Sequence, residues 1–361
     1  MADEQREGIE LAEDKPRIQP KHTRGDLQQM QSLPLSAKVA MTKRRIKEWY
    51  DYWDGQVYIS FSGGKDSTVL LHLAREVYPD IEAVFINTGL EYPEIQKFVK
   101  TFDNVTILHP DMRFDEVIKR YGYPLIGKEL ALNIYTARHT GPGSRSWNRF
   151  EKDSEEALRY AGRWDYHKYK PIRNCDIPIS HMCCNVMKKN PAKKYEHKTG
   201  KRPITGQMAY ESRIREQKWM INGCNAFETT RPMSNPMSFW TEQDVLRYIA
   251  ENNIEIASVY GDIAPINQSI NQSPPDPDCK LCATGCQRTG CIFCAFGAHR
   301  EKPGEGRFER LKETHPKQYA YCIGGGEYNE DGIWQPSKEG LGMGHVFDEL
   351  NKIYGEGFIR Y

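Results

Sequence analysis

The sequence contains no apolar run approaching the length of a membrane span, and Met1 to Lys15 is charged and acidic with no apolar core. Neither a bilayer-crossing helix nor a secretory leader is expected, which makes the chain a cytoplasmic one with no membrane partner. An excess of either charge is missing as well. Fifty basic residues face 49 acidic ones for a formal net charge of +1, so the overall balance does not argue for nucleic acid, although a local basic patch stays compatible with it. A disulfide framework is not expected either, because ten cysteines in a cytosolic-looking chain suit metal or redox chemistry better. At 361 residues the chain can bury a sizeable core as two domains, or as one with a substantial extension.

What is present centres on Gln56 to Tyr78, QVYISFSGGKDSTVLLHLAREVY. The apolar residues Val57, Ile59 and Phe61 read as a buried strand; Val69, Leu70, Leu73, Ala74 and Val77 follow at helical spacing. Between them, Ser62, Gly63, Gly64, Lys65, Asp66 and Ser67 form a strand–turn–helix loop. Glycines there let the backbone approach a ligand, and the helix start offers free N–H groups to an anion. Lys65 adds a full charge and Ser67 a hydroxyl, so a phosphate is the expected guest; a plain glycine turn is the bland alternative. The common nucleotide loop needs an earlier glycine and four spacers before its Gly-Lys-Ser/Thr, which this chain lacks.

The remaining order reads as alternating elements. A helix is expected from Leu35 to Tyr50 with Val39, Ile46 and Trp49 inward, and strands at Ala83–Ile86, Val105–Leu108 and Pro203–Thr205. Further helices are expected over Pro93–Thr101 and Phe114–Tyr121, and from Thr241 as N-cap with an acidic residue three places on. Such alternation argues for a parallel sheet covered on both faces. Asn87, Thr88, Gly89, Leu90 and Glu91 close the second strand, where open α/β sheets place ligand crevices. Residues 1–34 are expected to be a polar, mobile arm, 35–255 a nucleotide-binding α/β domain, and 256–361 a cysteine- and glycine-rich extension packed on it. Lys128 to Lys170 mixes Arg138, Arg145, Trp147, Arg149, Arg163, Trp164 and Tyr166. That mixture suits base stacking and phosphate pairing, but a solvated helical insertion is the favoured reading.

Cys279, Cys282, Cys286, Cys291 and Cys294 lie within sixteen residues; Cys175, Cys183, Cys184 and Cys224 precede them and Cys322 follows. Cys-x-x-Cys spacing serves zinc or iron–sulfur sites and does not by itself choose between them. Reduced structural cysteine is the bland alternative.

Ser62 to Ser67 resembles the PP-loop of the adenine-nucleotide α-hydrolase-like superfamily, which splits ATP between its α- and β-phosphates. With Asn87-Thr88-Gly89, Glu91 and the segment Gly206 to Arg215, the resemblance narrows to the phosphoadenosine phosphosulfate (PAPS) reductase family. It implies a Rossmann-like α/β/α sandwich with a parallel sheet plus the Cys-rich C-terminal extension. Gly206, Glu211, Ser212 and Arg215 would shape the nucleotide or sulfate pocket, although a surface ion pair is the bland reading of Glu211 with Arg215. Cys183, Cys184, Lys188 and Pro191 with Cys291 and Cys294 resemble the pattern by which adenylyl-sulfate reductases hold a [4Fe-4S] cluster. The four cysteines are its implied ligands, and Cys279, Cys282 and Cys286 become an alternative Zn2+ site or sulfur-handling thiols.

Three departures point away from the family's title reaction. The full loop is kept, which implies use of ATP itself with Mg2+. Met208 and Met187 stand where the family has basic residues, and cations are what a dianionic sulfonucleotide end needs. No C-terminal Glu-Cys-Gly-Ile-His element is present, and Cys322 does not match it. The first expectation is therefore adenylylation with pyrophosphate release coupled to sulfur transfer, with Lys65, Asp66 and Ser67 as catalytic residues. Asp66 is either a helix-start residue or a metal ligand. Thiol-dependent reduction of a phosphoadenylyl or adenylyl sulfonucleotide, sulfate adenylylation, and a non-catalytic nucleotide- or nucleic-acid-binding module are the alternatives. Expected partners are ATP or an adenylyl sulfonucleotide and a sulfur donor or thiol reductant protein. A tRNA, DNA or homodimer partner is compatible with the sequence.

Overall fold

In the computed structural model, residues 19–159, 166–266 and 279–361 are described. Most of the expected arm, together with Arg163, Trp164 and the Pro-rich stretch from Ser273 to Asp278, lies outside them. The first described helix, α1 (Arg24–Gln31), falls inside the expected arm. Thr23 and Asp26 close a capping box at its start, Leu27 is buried, and Arg24 pairs with Glu216 at 2.8 Å. Next to it His22 stacks on Trp219. One inward apolar residue is enough to dock so short a helix, and too little to show as a period.

Helix α2 (Leu35–Tyr52) buries Ile46 and Trp49. Strands β1 (Val57–Ser60), β2 (Ala83–Ile86) and β3 (Val105–Leu108) alternate with helices α3 (Lys65–Arg75), α4 (Pro93–Val99) and α5 (Phe114–Tyr121). Strand β4 (Leu125–Ile126) and helix α6 (Lys128–Thr140) follow. Strands β5 (Arg202–Thr205), β6 (Asn225–Ala226) and β7 (Met233–Ser234) complete a six-stranded sheet of order β3-β2-β1-β5-β7-β6. All its pairings are parallel except β6 with β7. The chain thus runs outward from β1 to β3, then returns to lay β5 on the other side of β1. That reversal is a topological switch point, and the crevice beyond the carboxyl ends of β1 and β5 is where open sheets of this kind bind ligands.

Beyond residue 256, strands β8 (Ile263–Pro265) and β9 (Leu281–Ala283) pair antiparallel, and β10 (Ala295–Phe296) pairs parallel with β4. Helices Arg307–Thr314, Pro316–Ile323 and Met343–Tyr354 follow within the expected cysteine- and glycine-rich extension. Their inward residues Phe308, Leu311, Met343, Val346, Phe347 and Leu350 join the same hydrophobic cluster as β1 and α3. Among the described residues no helix is long and apolar enough to cross a membrane.

Within the Lys128–Lys170 stretch Arg138 turns inward, whereas Arg145 stays exposed. Arg138 donates to the carbonyls of Ile172, Arg173, Cys175 and Ile177 at 2.5–2.8 Å. Arg173 is buried over the Trp147 ring at 3.7 Å and pairs with Glu151. Arg138 and Arg173 thus hold the insertion together and are not themselves part of an exposed face.

Candidate functional site

The loop after β1 sits at the switch point. Gly63 has φ +69°, and a Cβ there would stand 2.7 Å from Val99 Cγ2 and 2.8 Å from Ile95 Cγ2. Gly63→Ala combines a strained backbone with a clash and is expected to destabilise the fold by about 2 kcal/mol, read as a lower denaturation midpoint. Gly206, at the end of β5, meets the loop from the other side. A Cβ on it would lie 3.2 Å from the Asp66 carbonyl oxygen. The side chain of Ser67 folds back, accepting from the Ser62 amide at 3.1 Å and donating to the Gly64 carbonyl at 2.9 Å. Ser62 Oγ meets Ser67 Oγ at 3.0 Å.

Lys65 opens α3 and is buried; its ammonium donates to the Gln287 carbonyl at 2.9 Å and pairs with Glu242 at 3.1 Å. The Asp66 carboxylate lies alongside. Burial raises its pKa, against the pull of Lys65, and its Oδ1 is buried with no hydrogen-bond partner. A buried, unpartnered carboxylate oxygen at a phosphate loop is suited to a hard cation.

Beyond β2, Thr88 donates to Glu91 through its amide at 3.0 Å and its hydroxyl at 2.7 Å, and Gly89 N–H donates to Asn87 Oδ1 at 3.1 Å. These turns shape one wall of a cavity of about 320 Å3, closed by His109, Phe114 and Phe293. Its size is that of a small-ligand pocket.

In the Gly206 to Arg215 segment, Glu211 forms an ion pair with Arg215, while Ser212 caps the following helix by accepting from the Arg215 amide at 3.3 Å. The ion-pair reading of Glu211 and Arg215 thus describes their resting contact. Arg288, which the sequence pattern did not single out, joins Glu211 from the cysteine-rich segment at 3.3 Å. Met208 and Met187 are both buried.

The two cysteine-bearing segments are assembled on the stretch from Tyr123 to Ile126. Tyr123 bridges to Ile179, four residues before Cys183, and β4 pairs with β10, which begins directly after Cys294. Cys183 and Cys184 open a helix that passes into a π-helical turn at Asn185–Lys189, a distortion that recurs at functional sites. Cys183 Sγ donates to Cys184 Sγ at 3.9 Å. That bond pushes the Cys184 thiol down to about 6, helped by Lys128 and Lys188, and pushes the Cys183 thiol up. Burial pushes Cys294 up to about 11 and raises Cys291, which Lys188 partly offsets. Cys183 lies within electrostatic reach of the other three thiols. Lys188 also faces Glu91 at 3.9 Å, which joins the cysteines to the β2 loop.

Among the described residues no group of three or more His, Cys, Asp or Glu is set to hold a single metal ion. A tetrahedral ion needs its ligands drawn to one point, and the alternative zinc trio does not provide it. Cys286 donates to the Arg288 carbonyl at 2.9 Å, and Cys282 stands in β9 opposite Ala264. Cys183, Cys184, Cys291 and Cys294 are all soft thiol donors, the donor type that iron–sulfur clusters take. Cys322 is fully buried against Met343 Sδ at 3.5 Å, and burial raises its pKa.

The family described as the phosphoadenosine phosphosulfate reductase domain matches residues 56–125 and 151–296, more than half of the chain. An uncharacterised protein of Methanocaldococcus jannaschii is 26% identical over 278 residues, covering 76% of this chain and 49% of that protein. The chain therefore spans about half the length of this relative. The phosphoadenosine 5'-phosphosulfate reductase of Alkalilimnicola ehrlichii is 20% identical over 226 residues, covering 63% of this chain and 74% of the enzyme. A crystal structure of phosphoadenylyl-sulfate reductase from Candida auris, a phosphate complex, overlaps 66% of this chain and 92% of its own at 13% identity, with a TM-score of 0.34.

Proposed function

The chain belongs to the phosphoadenosine phosphosulfate reductase domain family, and on that footing we propose that it is an ATP-using sulfurtransferase that adenylylates its acceptor. The observation that carries this reading is a single short segment: Gln287 touches Lys65 of the phosphate loop, and four residues on stands Cys291 of the four-thiol group. Nucleotide activation and sulfur handling would thus share one site.

In this reading an acceptor oxygen attacks the α-phosphorus of ATP as the bond to pyrophosphate breaks. Amides of the Ser62–Ser67 loop hold the departing pyrophosphate, and Lys65 offsets its growing charge. Asp66 would hold Mg2+ through its unpartnered Oδ1, and the ion would add Lewis-acid stabilisation. A hydrosulfide from an external donor then displaces AMP from the activated carbon: the C–S bond forms, the C–O bond breaks, and AMP leaves with the electron pair. Bound by Cys183, Cys184, Cys291 and Cys294, an iron–sulfur cluster would supply thiophilic iron for that sulfide. The nucleoside end would take the cavity beside Asn87, Thr88 and Gly89.

Thiol-dependent reduction of a sulfonucleotide is the second reading, favoured by family membership. It calls for an accessible C-terminal nucleophile, whereas Cys322 is sealed in the core. One experiment separates the two: anaerobically purified protein is given ATP, and separately PAPS with a thiol reductant. Pyrophosphate from the first supports the proposal, and sulfite from the second replaces it.

Asp66 provides a further check. Because burial raises its folded pKa above the unfolded value, the folded chain holds the proton more tightly. Without Mg2+, stability therefore falls as pH rises from the unfolded pKa through the folded one. Asp66→Asn is expected to unfold at higher denaturant than wild type at neutral pH without Mg2+, and to lose the Mg2+ dependence of pyrophosphate binding. Equal Mg2+ dependence in the variant would remove Asp66 from the metal site.

A further inference from the structure

The anion-binding groups of the loop already have partners, several within the loop itself and two, Tyr260 and Gln287, from beyond residue 256. The Lys65 amide donates to the Tyr260 hydroxyl at 3.2 Å, and the Lys65 ammonium to the Gln287 carbonyl at 2.9 Å. Tyr260 OH in turn meets Thr289 Oγ1 at 3.0 Å. Measured from a Cβ placed on Gly64, Tyr260 OH lies at 3.2 Å and Thr289 Oγ1 at 3.7 Å. Apart from the Glu242 carboxylate on the Lys65 ammonium, neutral protein oxygens thus stand over the helix start, where phosphate oxygens would bring charge as well as acceptor capacity.

The overlying chain is anchored at both ends. Cys286 N–H donates to the Val259 carbonyl at 2.9 Å and Gly285 N–H to the Tyr260 carbonyl at 2.8 Å, so Tyr260 and the segment form one unit. At the far end Ile292 N–H donates to the Leu90 carbonyl at 2.8 Å. Between these anchors lie Gln287, Arg288, Thr289, Gly290 and Cys291.

Arg288 is 63% exposed, and its contact with Glu211 is a single bond at 3.3 Å. Such a pair is weak and easily exchanged. Glu211 would not be left unpaired by its departure, since its second oxygen keeps Arg215 and the Met208 amide, the latter at 3.0 Å. The charge of Arg288 already reaches Asp66 and Arg215. It is therefore a long, mostly exposed cation at the mouth of the loop, held there by its contacts with Glu211 and the Tyr210 hydroxyl.

We infer that Arg288 is a phosphate-binding residue supplied to the nucleotide loop by the cysteine-rich segment, and that Tyr260 and Gln287 are oxygen placeholders which phosphate displaces. This rests on the ATP reading above. When pyrophosphate or the β- and γ-phosphates of ATP enter, Lys65 exchanges Gln287 and Tyr260 for phosphate oxygens, and Arg288 swings from Glu211 to the same anion. The exchange displaces the span between Cys286 and Ile292, so nucleotide occupancy is felt at Cys291.

The test is calorimetric binding of Mg2+–pyrophosphate to the full chain purified anaerobically. Arg288→Ala, at an exposed position, is expected to fold normally and to weaken binding about tenfold, the scale of one charge-assisted hydrogen bond. Arg288→Lys should recover part of the loss. Tyr260→Phe has the opposite expected sign: losing the competing hydroxyl tightens binding by about threefold or more. Wild-type affinity in Arg288→Ala, or weakened binding in Tyr260→Phe with an unchanged melt, overturns the inference. Lys65→Ala is the reference. If it abolishes binding while Arg288→Ala does not, the loop reading stands and the Arg288 inference fails. If the wild type binds no pyrophosphate, both fall.

Discussion

Lys65→Ala is expected to lower pyrophosphate release from ATP by at least about 100-fold while leaving iron and acid-labile sulfide content unchanged. Lys65 is the one full positive charge built into the loop itself, and it is buried, so its field acts at low dielectric on whatever anion the loop holds. The substitution should be tolerated. Its carbonyl partner, Gln287, can take a water, and Glu242 is about one-third exposed and can be solvated once the ammonium is gone. The four cysteines hang instead on the stretch from Tyr123 to Ile126 and its pairings with Ile179 and β10, none of which involves Lys65. Coupled pyrophosphate detection with parallel metal and sulfide analysis separates the two effects. Undiminished turnover in this variant would mean that the loop does not handle the leaving group.

The elements that build the switch point were legible because each carries a local signal. Strands Ala83–Ile86 and Val105–Leu108 and helix Phe114–Tyr121 occur at the residues where apolar runs and periodicity place them. Thr241 caps its helix through the box with Asp244 that the spacing implies. The Lys128–Lys170 insertion was not legible in this way, since its order comes from Arg138 gathering carbonyls of residues 172–177 and from Arg173 packed on Trp147. Long-range polar stapling leaves no period in the sequence. The same holds for the site. The loop and the cysteine spacings declare themselves, whereas the bond from Lys65 to Gln287 joins positions 222 residues apart. Arg288 and Tyr260 are ordinary residues in the sequence and become notable only when β1 and the cysteine-rich segment meet.

Cys291→Ser should have an equally large effect of the opposite kind. Purified without oxygen, the wild type is expected to show a broad brown absorbance with roughly four irons and four sulfides per chain, and the variant to lose nearly all of both. A hydroxyl of similar size keeps the backbone turn, and the Ile292 amide that pins this turn to Leu90 is unaffected, so the fold should persist. Lys188 loses its thiol partner, yet Glu91 remains beside it at 3.9 Å. The loop contacts of Ser62, Lys65 and Ser67 do not include Cys291, so Mg2+–pyrophosphate affinity should stay within about twofold of wild type. Sulfur transfer would then stop while pyrophosphate release continues, leaving an adenylylated acceptor open to hydrolysis. A colourless wild type containing zinc would reassign the four thiols to structure. Retention of the brown chromophore in Cys291→Ser would show that another thiol takes its place, and Cys286, the nearest cysteine on the segment outside the four, would be the next to replace.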